Sequence, residues 1–294
     1  MALNLHLLRI FTAVAEHGNF SRAAEALYIS QPAVSRAVQE LEAQVGFALL
    51  DRSHRVPALT DAGALLYQYA QRLFTIEQAA EVALGQLQGL ERGHLAVGAS
   101  HTTGTYLLPP LFSQFHQQYP SIRLSLEIAN TQTILEKLRT QPLELAFVEG
   151  LVTDKEFLVT PWRTDRLVII APPNHPLLLR QPASLEQIIK EPYVQRELGS
   201  GTREIVEDVL RQKGIELTIT IELNSNQAVK QAVSAGLGIS IVSDMTIELE
   251  LANRTLATIS VQDLDLTRTL TQVTVKDRPL SRSAATFRAL ATFL

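Results

Sequence analysis

FSRAAEALYISQPAVSRAVQELEAQV, Phe20 to Val45, reads as two short helices joined by a tight turn. Ser21 suits an N-cap, and Ala23, Ala24, Ala26 and Leu27 are good helix formers, so a first helix is expected over about Ser21 to Tyr28. Ile29-Ser30 makes the turn. Ser30 then caps a second helix that opens at Gln31-Pro32, where the missing N–H of proline costs little. Val34, Val38, Leu41 and Val45 recur at intervals of four, three and four, one apolar stripe of a helix. At about 100° per residue, Pro32, Ser35, Arg36, Gln39 and Ala43 fall on the opposite face. That face is small and polar and carries one arginine, with the shape and donors to lie in a DNA major groove. A helical hairpin with a merely solvated polar face gives the same pattern, so the flanks decide.

Asn4 to His17 makes a preceding amphipathic helix, with Leu3, Leu7, Ile10, Phe11 and Val14 on one side. GFALLDRSHRVPALTDAG, Gly46 to Gly63, reads as a two-stranded wing: Phe47 to Leu50, a turn at Asp51 to His54, then Val56 to Leu59. Arg52 and Arg55 sit at its tip, where a wing touches the phosphate backbone or the minor groove. Ala23-Ala24, Ser30-Gln31-Pro32-Ala33-Val34-Ser35, Leu41-Glu42, Gly46, Leu50, Arg52 and Leu59-Thr60 with Gly63 run without a gap. In this the stretch is similar to the winged helix-turn-helix of the LysR-type bacterial transcriptional regulators. The resemblance implies a double-stranded promoter DNA interface made of Ser21, Gln31, Pro32, Ala33, Ser35, Arg36 and Gln39, with Arg52 and Arg55 on the wing.

The chain has 294 residues, enough for two or three domains, and its 46% hydrophobic content argues for packed cores. It has no cysteine, so disulfides and thiolate chemistry are excluded. With no signal peptide and no membrane-length apolar run, a cytoplasmic protein without a membrane partner is expected. The net charge of −4 is unusual for a DNA binder. Over residues 1–60, five arginines are balanced by five carboxylates. So few bases predict that binding comes from a dimer or larger assembly engaging several half-sites.

A third helix is expected from Ala62 to Gly89, capped by Thr60 or Asp61. Leu66, Tyr69, Leu73, Ile76, Ala80, Ala83 and Leu87 alternate three and four apart, a heptad seam on a helix roughly 40 Å long. Packing on its own chain is one reading; the other is a dimerisation helix, which in the resembled family links the DNA reader to the sensing domain.

From His94 onward short apolar strands alternate with helices, an α/β texture. Expected elements include a helix over Thr103–Tyr119, a helix over Thr133–Thr140, and separate extended segments at Phe157–Pro161 and Asp165–Ala171. The pattern resembles the LysR-type effector domain: two Rossmann-like subdomains crossed twice by the chain, as in type 2 periplasmic binding proteins. The resemblance implies a DNA-binding domain over 1–60, a linker helix over 61–91 and an effector domain over 92–294. Subdomain one would take about 92–161 and 267–294, and subdomain two about 162–266.

Three helix N-termini are rich in hydroxyls and amides, at Ser100 to Thr103, Asn130 to Thr133 and Gly199 to Arg203. Free N–H groups and the helix dipole favour an anion at such places. Plain N-capping explains each hydroxyl singly. The family resemblance puts a small metabolite effector between the subdomains and carries over to Ser100, Thr102, Thr131, Glu149 and Thr202, with His101, Arg203 and Asn226 nearby. Arg203 also has a possible partner in Glu207, four residues on. Gly98 to Pro109 resembles the branch of the family that governs carbon fixation and inorganic carbon uptake, whose members sense small anionic metabolites. There is no nucleophile elbow, HExxH or glycine-rich dinucleotide loop, so neither an enzyme nor a cofactor is expected. The competing readings are a sensor module whose helical hairpin contacts only protein, and an α/β hydrolase or transferase. A homodimer or homotetramer is expected, with RNA polymerase a further candidate partner.

Overall fold

The computed structural model describes residues 3–51, 57–86, 93–179, 181–261, 264 and 266–292. The chain divides into two compact units, Met1–Glu81 and Val82–Leu294.

The first unit opens with α1 (Leu5–His17), whose N-terminal amides are capped by the Asn4 side chain. Next come α2 (Phe20–Leu27) and α3 (Gln31–Val45). Ser21 is not the cap of α2. Asn19 accepts from the Ser21 and Arg22 amides, which moves the helix start back by one residue. The turn is closed by Ile29 N–H donating to Ala24 O at 3.0 Å, with Tyr28 at φ 55°. That six-to-one bond over a left-handed residue is a Schellman-type stop. Leu8, Phe11, Val34, Val38 and Leu41 form one buried core. Ala23 and Ala24 belong to it, and their small side chains let α2 pack closely.

The wing strands are shorter than expected: β1 (Leu50–Asp51) pairs antiparallel with β2 (Ala58–Leu59). Glu42 of α3 accepts from the Leu49 and Leu50 amides at 2.9 and 3.2 Å and so ties the wing to α3. Arg52 and Arg55 lie outside the described residues. Thr60 caps α4 (Asp61–Gln86) through its hydroxyl, which accepts from Gly63 N–H at 3.0 Å. A Cβ added at Gly63 would lie 2.0 Å from Leu49 O, so the helix meets the wing backbone directly.

The second unit runs through β3 (Gly93–Ser100), a π turn at Thr103–Leu107, α5 (Leu108–Gln118), β4 (Ile122–Ala129), α6 (Thr131–Thr140) and β5 (Leu145–Val148). It continues with β6 (Phe157–Ala171), α7 (Leu185–Ile188), β7 (Tyr193–Arg196), α8 (Gly201–Gln212), β8 (Ile219–Leu223) and α9 (Asn226–Ser234). Then come β9 (Ser240–Ser243), α10 (Glu248–Ala252), β10 (Ala257–Ile259), β11 (Thr267–Val275) and α11 (Arg282–Thr292).

The main sheet has the order β10-β6-β11-β5-β3-β4, with β9 also on β6; β7 and β8 pair separately. β3 is parallel to β4 and β5, whereas β11 is antiparallel to β5 and β6. Two apolar clusters flank β3 and β5, and two others surround the later part of β6 with α8 and α9. β6 and β11 therefore carry the chain between two cores.

Two expectations need correction here. Phe157–Pro161 and Asp165–Ala171 are one continuous strand. Thr271 pairs with Pro161 and Leu270 with Arg163, which leaves Trp162 as a bulge residue. A bulge tolerates the proline that suggested a break. The helix expected over Thr103–Tyr119 is not uniform. Pro109 and Pro110 cannot donate, and the turn before them widens so that Leu108 N–H reaches Thr103 O.

Candidate DNA interface and effector cleft

On α3, Val34, Ala37, Val38 and Leu41 are buried. Gln31, Pro32, Arg36 and Gln39 are exposed, with Ala33 and Ser35 half-buried between them. Ser21 is exposed on α2. Apart from a long 3.4 Å contact from Arg36 Nε to Pro32 O, the Arg36 fork faces outward. Ser30 has extended backbone at the helix start but makes no side-chain cap bond. Arg9, one of the five bases, is committed elsewhere: it pairs with Glu77 at 2.5 Å and lies 4.5 Å from the Phe74 ring centre.

The seam on α4 differs in its first position. Leu66 packs into the core of its own unit, together with Tyr67, Ala70 and Phe74. The exposed stripe is Leu65, Tyr69, Leu73, Ile76 and Ala80. Tyr69 and Ile76 are 59% and 67% exposed, far more than a core position. The side chains of Ala83 and Leu87 lie outside the described residues.

In the second unit, Ser100, Thr102, Thr131, Glu149 and Thr202 are all buried, and the structure gathers most of them around a residue that sequence reasoning missed, Arg268. Its Nε donates to Asp165 at 2.6 Å and its Nη1 to the Thr202 hydroxyl at 2.8 Å. Nη2 lies 2.8 Å from Glu149 and 3.4 Å from the Thr102 hydroxyl. The Glu149 Oε2 contact is ionic; that atom accepts no aligned hydrogen bond among the described residues. Asp165 also accepts from Ser243. Because Asp165 and Arg268 belong to β6 and β11, this network sits on the two crossover strands.

Asn226 joins from α9, with its amide 3.4 Å from Thr102 Oγ1 and its carbonyl accepting from Arg196. Arg196 turns its remaining donors on Glu197, at 2.7 and 2.9 Å. Burial, then the Arg196 charge, holds the His101 imidazole below its ordinary pKa despite Glu197 and Glu149. Burial alone would raise the Glu197 carboxyl, but the hydrogen bond and charge from Arg196 outweigh it and lower it.

Backbone approach fixes the rest. A Cβ at Gly201 would lie 2.0 Å from Glu149 O, so the start of α8 abuts the end of β5. Thr131 donates to the same carbonyl at 2.7 Å. Ser200 stands at the N-cap of α8, yet its buried hydroxyl makes no cap bond and has no partner among the described residues. Arg203, on the first turn of α8, takes the second of the two readings its spacing offered. It spends its guanidinium on Glu207, Glu222 and the Arg196 carbonyl, the i to i+4 pairing that the spacing allowed. Ser100 bonds inward to Thr103, which donates to Phe147 O. A separate cavity of about 640 Å³ lies under α8, between Leu210, Ile215 and Leu217 and the Tyr193 strand; it shares Arg196 and Thr202 with the cluster.

Against known proteins, residues 5–64 match the bacterial regulatory helix-turn-helix family of lysR type, and residues 88–292 match the LysR substrate binding domain. The chain belongs to the LysR family. It is a LysR-type DNA-binding transcriptional regulator, with a helix-turn-helix followed by an α/β effector domain. A probable RuBisCO transcriptional regulator of Synechocystis is 38% identical, covering 96% of this chain and 84% of that one. The transcriptional activator CmpR of the same organism is 36% identical over 96% and 93%. The regulatory domain of Synechocystis CcmR, solved with 2-PG, matches at 28% identity with a TM-score of 0.65, covering 69% of this chain and 97% of that one. Among the described residues of this LysR regulator, no helix is long and apolar enough to cross a membrane.

Arg196, Glu197, Asp165, Ser243 and Arg268 were not singled out from the sequence. A signal existed for two of them: a charged residue inside a short apolar strand, as in YVQR and TRTLTQV, has an inward-facing partner or a function.

Proposed function

We propose that this LysR regulator reads promoter DNA with the exposed face of α3, namely Gln31, Pro32, Ala33, Ser35, Arg36 and Gln39, supported by Ser21 and by Arg52 and Arg55 of the wing. The observation that carries this is the division of α3 into a buried valine side and a solvent-facing polar side. Gln31 suits adenine and Arg36 suits guanine; each bidentate pair discriminates by roughly 1–3 kcal/mol. The exposed stripe Leu65, Tyr69, Leu73, Ile76 and Ala80 supports a homodimer through α4, and pairs of dimers would give a tetramer. In this reading residues 1–60 bind DNA, 61–91 link, and 92–294 sense, with the two subdomains meeting along β6 and β11.

The effector is a small oxyanion, held between the subdomains by the α8 N-terminus, Ser200, Thr202, Thr102, Asn226 and Arg196. The Ser200 hydroxyl, without a partner among the described residues, and the buried guanidinium of Arg196 support it, and CcmR was solved with 2-PG. A cytoplasmic site of action follows. The DNA reading is tested by gel shift with Arg36→Ala: sequence preference relaxes by roughly ten- to a hundredfold. Unchanged affinity and preference would refute the role of α3.

A further inference from the structure

The cleft already carries a surplus of negative charge. Arg196 and Arg268 face three carboxylates, Glu149, Asp165 and Glu197. His101 is held toward its neutral form. An oxyanion added to this set would meet guanidiniums that are both engaged, in a buried setting where like charges repel strongly. One carboxylate has to give way.

The three are not equivalent. Asp165 lies within β6, with a side chain 1% exposed and donors from Arg268 and Ser243. Glu149 is anchored through its carbonyl by Thr131 and by the close approach of Gly201. Glu197 follows the last residue of β7, on the connection to α8, and its side chain is 16% exposed. It takes Nε and Nη2 of Arg196 side-on, the geometry with which arginine receives a ligand carboxylate or phosphate. Arg196 does not depend on Glu197 for its position. Its side chain is 3% exposed, and its third donor bonds Asn226.

We propose that Glu197 is an internal competitor for the effector: its carboxylate fills the bidentate face of Arg196, and an oxyanion binds by taking that face while Glu197 turns out to solvent. This rests on the cleft being the effector site. The apparent affinity is then the intrinsic affinity multiplied by the fraction of molecules in which the fork is open.

Calorimetric titration of the full-length protein with 2-phosphoglycolate and with inorganic phosphate tests this. Glu197→Gln and Glu197→Ala are expected to tighten binding about tenfold, an open fraction on the order of one tenth. Glu222→Gln, which removes an equal charge from the exposed partner of Arg203, is expected to change it less than about twofold. Arg196→Met abolishes binding. Unchanged or weaker binding in both Glu197 variants, with loss in Arg196→Met, overturns the competitor and leaves the site standing. So does equal tightening in Glu222→Gln, which would mark a general charge effect. Full binding by Arg196→Met, or no binding of either anion by any of the proteins, overturns the cleft site as well.

Discussion

Removing the guanidinium at the crossover gives the sharpest test of how the effector domain is held together. In Arg268→Met the side chain keeps much of its volume but strands two carboxylates, Glu149 and Asp165, both at most 2% exposed. Taking one partner from a buried ion pair costs about 3–5 kcal/mol, because the remaining charge stays desolvated. Asp165 retains Ser243 as a donor, which offsets part of its share, whereas Glu149 Oε2 has no aligned donor to fall back on among the described residues. The loss should therefore sit within that range rather than double it. Urea unfolding followed by circular dichroism measures it. With a slope of about 2–3 kcal/mol per molar, the transition of the effector domain moves down by roughly 1–2 M. Arg268→Met combined with Asp165→Asn should recover part of the loss, since the second change removes one of the two stranded charges. A midpoint within about 0.3 M of the parent, or no recovery in the double variant, would mean that the buried charges are not coupled as the distances imply.

Gly63→Ala drives a Cβ to 2.0 Å from the Leu49 carbonyl; overpacking of this kind costs about 1–3 kcal/mol, and the melting temperature of the N-terminal unit should fall by roughly 5–15 °C. An unchanged melt would show that α4 does not approach the wing so closely. Ile76→Glu places a charge in the exposed stripe of α4 and should lower the mass seen by sedimentation or light scattering, with circular dichroism unchanged. Persistence of the parent assembly would move the interface elsewhere. The lowered pKa of His101, caused first by burial and then by Arg196, has a definite sign. Between the folded pKa and about 6.5 the unfolded chain holds the extra proton, so stability falls as pH drops through that window. His101→Gln should flatten the decline in melting temperature between about pH 7.5 and 5.5. His94, lowered likewise by burial and Arg123, titrates in both proteins, so the difference between the slopes is the quantity to compare.

Most of what was legible came from short-range pattern. The valine stripe of α3 and the Thr60 cap depend on neighbours within a few residues, and both have the expected form. Misplaced boundaries trace to competing local donors and acceptors: Asn19 caps α2 in place of Ser21, and Asn130 caps α6, which begins at Thr131 rather than Thr133. The α4 seam shows where periodicity runs out. Leu65 and Leu66 are adjacent, so spacing alone does not say which faces the core; the packing of Leu66 beside Tyr67 and Phe74 does. The charged centre of the cleft was illegible for a similar reason. Arg268 meets Asp165 across 103 residues and Thr102 across 166.

By itself, the chain's order of residues settled the LysR architecture, the polar face of α3 and the hydroxyl-rich helix starts. The last two are local rules of spacing and capping, written within one or two helical turns; the architecture is what the resemblance to the LysR family implied. Tertiary structure alone decided that β6 passes unbroken through Pro161, that Arg203 also reaches Glu222, and that Arg268 holds Glu149 and Asp165. Arg203 and Glu222 are 19 residues apart and Arg268 and Asp165 are 103 apart, and partners so separated are chosen by strand pairing and close packing, which no local pattern encodes.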